Sequence, residues 1–227
     1  LLQNQQKYDF TINMSLTLIN EDNPIHQQID NNVVEYKNSG VMMDPMLVKP
    51  YETLSEAVKD DTDESLFIMS SYRTSEEQEI LFSQDSTIAT LPGTSEHETG
   101  LALDVYVQYY AGNGFLKSEA GQFVNRNSWR YGFIIRYPLF KKGVTGIKFE
   151  PWHIRYVGEP HAEIMYRNKW TLEEYIQELT VGRFYSFKNY MISRQKADSI
   201  FIPEGLIDVV ISPDNQGNYI ITGRTDS

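Results

Sequence analysis

Hydrophobic and polar positions alternate along the chain in two patterns, one with the period of a helix and one with the period of a strand. Apolar residues three or four positions apart predict a helix over residues 46–60 with one face toward the core: Leu47, Tyr51, Leu54 and Val58. Asp44 and Pro45 precede it as N-cap and first helical residue. Alternating or continuous apolar runs predict strands at 65–70, 100–107, 133–137 and 149–156.

Capping signals predict further helices among these strands. Thr74 or Ser75 caps one helix, and residues 118–131 form another. Thr171 and Glu174 have the spacing of a capping box and begin a third. Helices and strands in this mixed order predict an α+β fold, in which an antiparallel sheet is flanked by helices.

The composition divides the chain into three predicted segments. Residues 1–15 are polar and rich in Gln and Asn, which predicts a flexible N-terminal segment. A domain is expected over residues 16–180, beginning with a short strand at 16–19. Residues 181–227 contain alternating runs around a turn at 213–218, which predicts a small C-terminal β appendage that ends in a hairpin.

Composition and charge narrow the chemistry that is available. The 227 residues include no cysteine and four histidines, which excludes disulfides, Cys-ligated zinc, iron–sulfur clusters and a thiol nucleophile. The net charge of −11 argues against a nucleic-acid-binding protein. No apolar run approaches the roughly 20 residues of a membrane span. Because the chain starts at Leu1 without a methionine, we expect a missing N-terminal segment that could include a membrane anchor.

Two stretches of the sequence contain potential metal ligands. His97 precedes a predicted strand that includes Asp104, and His153 lies in another predicted strand. A carboxylate within an apolar strand needs solvent, a cation or a metal ion as its partner. Two imidazoles and one carboxylate are a common ligand set of catalytic zinc, and they leave a fourth position for water. The pattern therefore predicts a zinc site on the sheet.

Two further residues are candidates for catalysis. Glu150 lies three residues before His153, and a bend at Pro151 would turn both side chains toward one site. A carboxylate in that place could accept a proton from a water molecule that zinc has made acidic. Arg73 lies at a strand-to-helix junction, where it could stabilise an oxyanion or bind a carboxylate.

These residues resemble the VanY-like D-alanyl-D-alanine carboxypeptidases, within the group of zinc peptidases that also includes lysostaphin and sonic hedgehog. The resemblance covers roughly residues 16–180 and depends on three ordered motifs. The family pattern S-x-H-x-x-G-x-A-x-D is matched by Ser95, His97, Gly100, Ala102 and Asp104. The element E-x-W-H is matched by Glu150, Trp152 and His153. The element S-x-Y/S-R-x-x-x-x-Q is matched by Ser70 or Ser71, Tyr72, Arg73 and Gln78.

The resemblance implies a role for each matched position. The Zn²⁺ ligands would be His97, Asp104 and His153. Glu150 would be the general base and then the proton donor, and Arg73 would stabilise the oxyanion. Substrate contacts are expected from Gln78, Ser95, Tyr72 and Trp152. Trp152 could instead pack beneath the site.

The activity that the resemblance implies is that of a zinc-dependent D,D-carboxypeptidase at the bacterial cell surface. Its partner would be a peptidoglycan stem peptide or precursor that ends in D-Ala-D-Ala, and it would contact the membrane only through the missing N-terminal segment. Three alternatives stay open: an L,D-carboxypeptidase, a D-Ala-D-Ala dipeptidase, and a non-catalytic zinc-bearing module that binds the cell wall. A role in vancomycin resistance or in wall maturation is also open. The cation that holds the substrate carboxylate could be Arg136, Lys148 or Arg155.

Overall fold

The structure is a computed structural model, and it describes residues 9–26, 32–87 and 89–225. The strands are β1 Phe10–Ile12, β2 Val34–Glu35, β3 Met42–Met43, β4 Phe67–Ser70, β5 Ala102–Tyr106, β6 Phe133–Ile135, β7 His153–Tyr156, β8 Phe184–Phe187, β9 Tyr190–Lys196, β10 Leu206–Pro213 and β11 Asn218–Thr225. The α-helices are α1 Pro45–Thr62, α2 Ser75–Gln84, α3 Glu119–Asn127, α4 Lys142–Thr145, α5 His161–Asn168 and α6 Leu172–Glu178. Short 3₁₀ turns lie at Glu96–Thr99, Gly112–Lys117 and Ser128–Tyr131.

The chain forms two compact units. One comprises Ile19–Tyr175, and the other comprises the described residues up to Leu18 together with those from Ile176 onward. The first unit contains an antiparallel sheet in the order β4-β5-β7-β6, with helices from the same stretch of chain. This arrangement confirms the predicted α+β fold with an antiparallel sheet flanked by helices. No helix in the described part of the chain is both long and apolar enough to cross a membrane.

Helix α1 has the predicted N-terminus and the predicted core face. The Asp44 side chain accepts a hydrogen bond from Met46 N at 2.9 Å, and Pro45 is the first helical residue. The four apolar residues of the predicted face are all at most 2% exposed: Leu47, Tyr51, Leu54 and Val58. Burial of each such side chain stabilises the fold by about 1.5–3 kcal/mol.

The helix predicted over residues 118–131 is divided in two. Helix α3 ends at Asn127, and the 3₁₀ turn Ser128–Tyr131 continues the chain to Gly132. Gly132 has a φ of 82°, and a Cβ there would lie 2.7 Å from the Tyr156 ring. A residue with a side chain would therefore be strained at this position, where the chain turns from the helix into β6.

Helix α2 begins with a capping box. Thr74 Oγ1 accepts a hydrogen bond from Glu77 N at 3.2 Å, and the Glu77 carboxylate accepts one from Thr74 N at 2.8 Å. Of the two predicted caps, Thr74 is therefore the N-cap and Ser75 is the first helical residue. This turn joins β4 to α2 directly after Arg73, so the cap determines where the backbone of that residue lies.

The second unit is a five-stranded sheet in the order β1-β10-β11-β9-β8. Strands β10 and β11 form the hairpin that was predicted for the C-terminal appendage, and β9 pairs antiparallel with β11. Its small core contains Val209, Ile211 and Ile221. The turn of the hairpin is held by Asp214, whose Oδ1 accepts hydrogen bonds from Gln216 N at 2.7 Å and Asn218 N at 3.0 Å.

One expectation for the N-terminal residues was wrong, and the flexibility of residues 1–15 stays a prediction, because residues 1–8 lie outside the described part of the chain. The segment predicted to be flexible contains β1, which pairs in parallel with β10 of the appendage. The short strand predicted at 16–19 is absent, and these residues are buried in an irregular segment. Two of them bond to β10 and its turn instead, since Leu16 N donates to Ser212 Oγ at 3.0 Å and Leu18 N donates to Asp214 O at 3.2 Å. The edge of β10 thus supplies the hydrogen-bond partners of this segment, and the strand that its apolar residues predicted does not form.

Candidate active site

The sheet of the first unit brings Asp104 and His153 together. They are directly opposite each other on the antiparallel neighbours β5 and β7, and Ser70 of β4 lies opposite Asp104 on the other side. Residues paired in this way project from the same face, with Cβ atoms about 4.5–5.5 Å apart. The pairing register therefore places a carboxylate and an imidazole side by side, although they are 49 positions apart in the chain (153 − 104).

His97 reaches the same face from the 3₁₀ turn that precedes β5. Ser95 caps this turn, because its Oγ accepts a hydrogen bond from His97 N at 3.3 Å. Gly100 ends the turn with a φ of 74°, and a Cβ there would lie 3.0 Å from Asp44 N. Ser95 thus has an observed structural role, and its predicted contact with substrate stays a prediction.

The three predicted ligands offer donor atoms that all lie within 4.8 Å of one another. His97 Nε2 is 3.3 Å from Asp104 Oδ2, and His153 Nδ1 is 3.1 Å from Asp104 Oδ1. His97 Nδ1 is 2.8 Å from the carbonyl oxygen of Ser71, which leaves Nε2 of this ring facing the carboxylate. Different ring nitrogens of the two histidines therefore point toward one place.

Polar atoms of this cluster lack the partners that burial normally requires. Asp104 Oδ1 is buried and forms no hydrogen bond of suitable geometry, even though His153 Nδ1 is only 3.1 Å away. Burial raises the pKa of Asp104, but the neighbouring His97 and His153 outweigh this and hold it well below its usual range. A persistent carboxylate beside two imidazoles fits Zn²⁺ with one open coordination position.

The electrostatics differ between the two histidines. Burial lowers the pKa of His97, and the charge of Asp104 only partly compensates. Burial acts in the same direction on His153, but the carboxylates of Asp104 and Glu96, at 3.1 and 3.4 Å from its two ring nitrogens, raise its pKa to about 9. The surroundings of His153 therefore favour positive charge at its place, and a metal cation would displace the proton from Nδ1.

Glu150 lies beside the cluster because the chain turns before β7. His153 N donates to Glu150 O at 3.3 Å, and Glu150 N donates to Tyr137 O at 3.0 Å. The side chain is 26% exposed, with Oε2 3.5 Å from His153 Nδ1. Burial raises the pKa of Glu150, against the opposing effects of His153 and Arg73. The bend expected at Pro151 is therefore present, and it turns Glu150 toward the imidazole.

The backbone of Arg73 is bonded to the 3₁₀ turn Glu96–Thr99, which contains His97. Its N–H donates to His97 O at 3.1 Å, while its side-chain Nε is buried without a hydrogen-bond partner. Burial lowers the pKa of Arg73, and the nearby carboxylates, Asp104 foremost, oppose this effect. Within the described residues no carboxylate lies within 4.0 Å of its guanidinium. A donor with an unmet hydrogen bond thus lies close to the metal ligands.

The other predicted substrate contacts have less direct support. Gln78 is 1% exposed; its Nε2 donates to Thr90 O at 2.8 Å, and its Oε1 has no partner. Tyr72 and Trp152 are half-buried, and their backbones join the neighbouring strands. The roles proposed for these three residues stay predictions.

Sequence reasoning missed the buried charges beneath the site. Glu96 accepts hydrogen bonds from Arg136 Nε and Arg155 Nη1, both at 2.6 Å, and all three side chains are fully buried. Arg136 and Arg155 are therefore unable to hold a substrate carboxylate, whereas Lys148 is exposed. Tyr137 was also missed, and its ring centroid is 4.8 Å from that of His153. The available signal was the position of Glu96 directly before His97.

The first unit combines helices and an antiparallel sheet, and it carries a His, Asp, His cluster beside a glutamate. These features place it in the class of zinc-dependent peptidases. A family profile described as VanY, D-alanyl-D-alanine carboxypeptidase, matches residues 40–159. A D-alanyl-D-alanine carboxypeptidase of Enterococcus faecium is 34% identical, over 92% of this chain and 74% of that protein. The chain belongs to the VanY family of D-alanyl-D-alanine carboxypeptidases, and it is a zinc metallocarboxypeptidase.

Solved structures agree with this assignment. The vancomycin-resistance D,D-dipeptidase VanXYg, in complex with a D-Ala-D-Ala phosphinate analogue, has a TM-score of 0.82 at 26% identity, over 93% of this chain and 94% of that one. A mutant of the D,D-pentapeptidase VanY from the VanB-type resistance cassette, in complex with Zn(II), has a TM-score of 0.65 at 33% identity, over 71% and 98%. The alternative of a non-catalytic wall-binding module is therefore set aside.

Proposed function

We propose that this protein acts as a D,D-carboxypeptidase that removes the C-terminal D-alanine from peptidoglycan precursors or stem peptides ending in D-Ala-D-Ala. The observation that carries the proposal is the convergence of the donor atoms of His97, Asp104 and His153 within 4.8 Å, with Glu150 3.5 Å from His153 Nδ1. Three protein ligands with an adjacent free carboxylate suit a hydrolytic metal site, whereas structural zinc sites use four protein ligands.

The residues divide the chemistry between them. When bound, zinc supplies Lewis-acid chemistry, since it polarises a carbonyl oxygen and makes water more acidic. Glu150 accepts a proton from the attacking water and delivers it to the nitrogen of the leaving D-alanine as the C–N bond breaks. The raised pKa of the Glu150 carboxyl group suits both proton uptake and proton delivery, because the charged and the neutral carboxyl are then both accessible closer to neutral pH.

Arg73 has a different task, which is to stabilise the negative charge that develops on the carbonyl oxygen. Its buried Nε lacks a partner in the protein, so a substrate oxygen would satisfy it. The hydrogen bond from Arg73 N to His97 O fixes its backbone relative to a metal ligand. Removing one such preorganised donor costs about 2.7–4 kcal/mol of transition-state stabilisation in other hydrolases.

The proposal is tested by D-alanine release from diacetyl-L-Lys-D-Ala-D-Ala with the zinc-loaded protein. Glu150→Gln should keep bound zinc and lose activity by about 10²–10⁴-fold, because only proton transfer is removed. Glu79→Gln, at an exposed position of α2, is the matched control and should retain the wild-type rate. A zinc-loaded Glu150→Gln protein with the wild-type rate would overturn the proposed mechanism.

A second candidate is D-Ala-D-Ala dipeptidase activity. It is favoured by the likeness to VanXYg, which extends over 93% of this chain. The same assay separates the candidates when free D-Ala-D-Ala, a pentapeptide and a tetrapeptide ending in an L-residue followed by D-Ala are compared. Preference for the pentapeptide supports the D,D-carboxypeptidase. Preference for the dipeptide supports the second candidate, and preference for the tetrapeptide supports an L,D-carboxypeptidase.

We further propose that the enzyme works outside the cytoplasm, at the bacterial cell surface, because its proposed substrate is part of the cell wall. Removal of the terminal D-Ala also removes the target of vancomycin, so a role in resistance is proposed alongside wall maturation. Fractionation of the natural host tests the location, including the predicted N-terminal anchor. Deletion of the gene tests the role, because an unchanged vancomycin susceptibility would count against resistance.

A further inference from the structure

Beneath the proposed zinc site lies a glutamate that solvent does not reach. The Glu96 side chain is fully buried, and its two oxygens have different partners. Oε1 accepts hydrogen bonds from Arg136 Nε and Arg155 Nη1, both at 2.6 Å. Oε2 lies 3.4 Å from His153 Nε2, on the side of the ring opposite the proposed metal position. Glu96 therefore joins a buried ion network to a predicted zinc ligand.

The network keeps this carboxylate charged. An isolated buried carboxylate would be neutralised, because transfer of a charge into a low-dielectric interior is costly. Here Arg136 Nε and Arg155 Nη1 both donate to Glu96 Oε1 at 2.6 Å, so two buried guanidinium groups compensate the charge of the carboxylate. Arg136 is in turn bound by Glu173, at 2.9 Å from Nη1 and 2.7 Å from Nη2. Charges of alternating sign thus run from Arg155 through Glu96 and Arg136 to Glu173.

A charged acceptor at this place determines which nitrogen of His153 is free. If Nε2 carries a proton and donates it to Glu96, then Nδ1 is left unprotonated and faces Asp104 and Glu150. His97 is held differently, since its Nδ1 contacts the neutral carbonyl of Ser71 at 2.8 Å. Partners of this kind fix the tautomer and the ring orientation of metal-bound histidines and increase their basicity.

We propose that Glu96 is a positioning residue that orients His153 and fixes its Nε2-protonated tautomer for zinc binding. It acts through His153 and does not touch substrate, because its side chain is wholly enclosed. The inference rests on the proposed zinc site, and it adds that one of the two imidazole ligands depends on a buried carboxylate. Since Glu96 directly precedes His97 in the 3₁₀ turn, one short segment positions both histidines.

The test compares two variants that each remove one carboxylate from Arg136. Glu96→Gln removes the charge and leaves one amide oxygen, which cannot accept from the two arginines and from His153 at once. Glu173→Gln is the matched control, because Glu173 contacts Arg136 and does not contact His153. Zinc dissociation constants are measured by competition with a chelator, and thermal unfolding is measured without zinc. We expect Glu96→Gln to weaken zinc binding by about 10–100-fold, and Glu173→Gln to bind zinc within about twofold of the wild type while also losing stability.

Two outcomes would overturn the inference: unchanged zinc affinity in Glu96→Gln, or an equal loss of affinity in both variants, which would assign Glu96 a structural role. Wild-type protein that fails to bind zinc would instead refute the proposed function. If Glu96→Gln does not fold, ¹⁵N NMR of the histidine rings in the zinc-loaded wild type decides the question. We expect His153 to be protonated at Nε2 and slow to exchange that proton, and protonation at Nδ1 would contradict the inference.

Discussion

Replacing Arg136 with methionine should destabilise the unit Ile19–Tyr175 by about 3–5 kcal/mol, the usual cost of breaking a buried ion pair. The guanidinium donates to Glu96 at 2.6 Å and to both oxygens of Glu173, at 2.9 and 2.7 Å. Methionine preserves most of the apolar contact but leaves two carboxylates underpaired. Glu96 keeps Arg155, so the loss should not exceed that of one pair.

Tryptophan fluorescence is the suitable assay because all three tryptophans lie within this unit: Trp129, Trp152 and Trp170. Urea unfolding is followed with chelator present, so that metal binding does not add to the measured free energy. Thermal unfolding is followed by the same fluorescence. Since a loss of one kcal/mol lowers the melting temperature of a domain of this size by about 2–4 °C, Arg136→Met should lower it by about 6–20 °C.

Arg126→Met is the control, since Arg126 is exposed on α3 and its loss should change stability by less than about 0.5 kcal/mol. A loss below about 1 kcal/mol for Arg136→Met would refute the reasoning. A rise in KM without loss of stability would instead support the sequence-based interpretation of Arg136 as a ligand of the substrate carboxylate.

Three further predictions concern the site. Asp104→Asn should weaken zinc binding at least about 100-fold, more than loss of an outer hydrogen-bond partner costs, and affinity within tenfold of the wild type would contradict its role. With zinc saturating, kcat/KM should fall at acid pH because protonated Glu150 cannot accept a proton from water, and this acid limb should disappear in Glu150→Gln; the same acid limb in Glu150→Gln would contradict the role of Glu150. Gly100→Ala should cost about 1–2 kcal/mol because of its φ of 74°, whereas Gly143→Ala, with open space around it, should be nearly neutral in the same fluorescence assay.

The sequence predicted the local elements well where the signal was itself local. Helix α1 follows from one apolar stripe and an N-cap, Thr74 is one of the two caps predicted for α2, and the capping box predicted at Thr171 is present. The bend that turns Glu150 toward His153 was inferred from Pro151 alone. Each of these features depends on residues within a few positions of one another, so periodicity and caps are sufficient to find it.

Predictions that involved distant partners succeeded less often. The apolar run at 16–19 was expected to form a strand, and the polar segment before it was expected to be flexible. Leu16 bonds instead to Ser212 of β10, 196 positions away, and β1 in the polar segment pairs with the same strand. No pattern within either segment specifies such a pairing, because register and partner are set by the tertiary packing.

The sequence by itself determined which residue types are available for chemistry: two motif histidines, an aspartate in a strand, and a glutamate before a bend. With no cysteine, any zinc site had to use imidazole and carboxylate. Only the tertiary structure decided that their donor atoms converge within 4.8 Å. It also decided that Arg136 and Arg155 neutralise Glu96, from 40 and 59 positions away, rather than bind substrate. Buried charges must be paired, and the partner of each is set by the packing of the sheet, which local sequence does not encode.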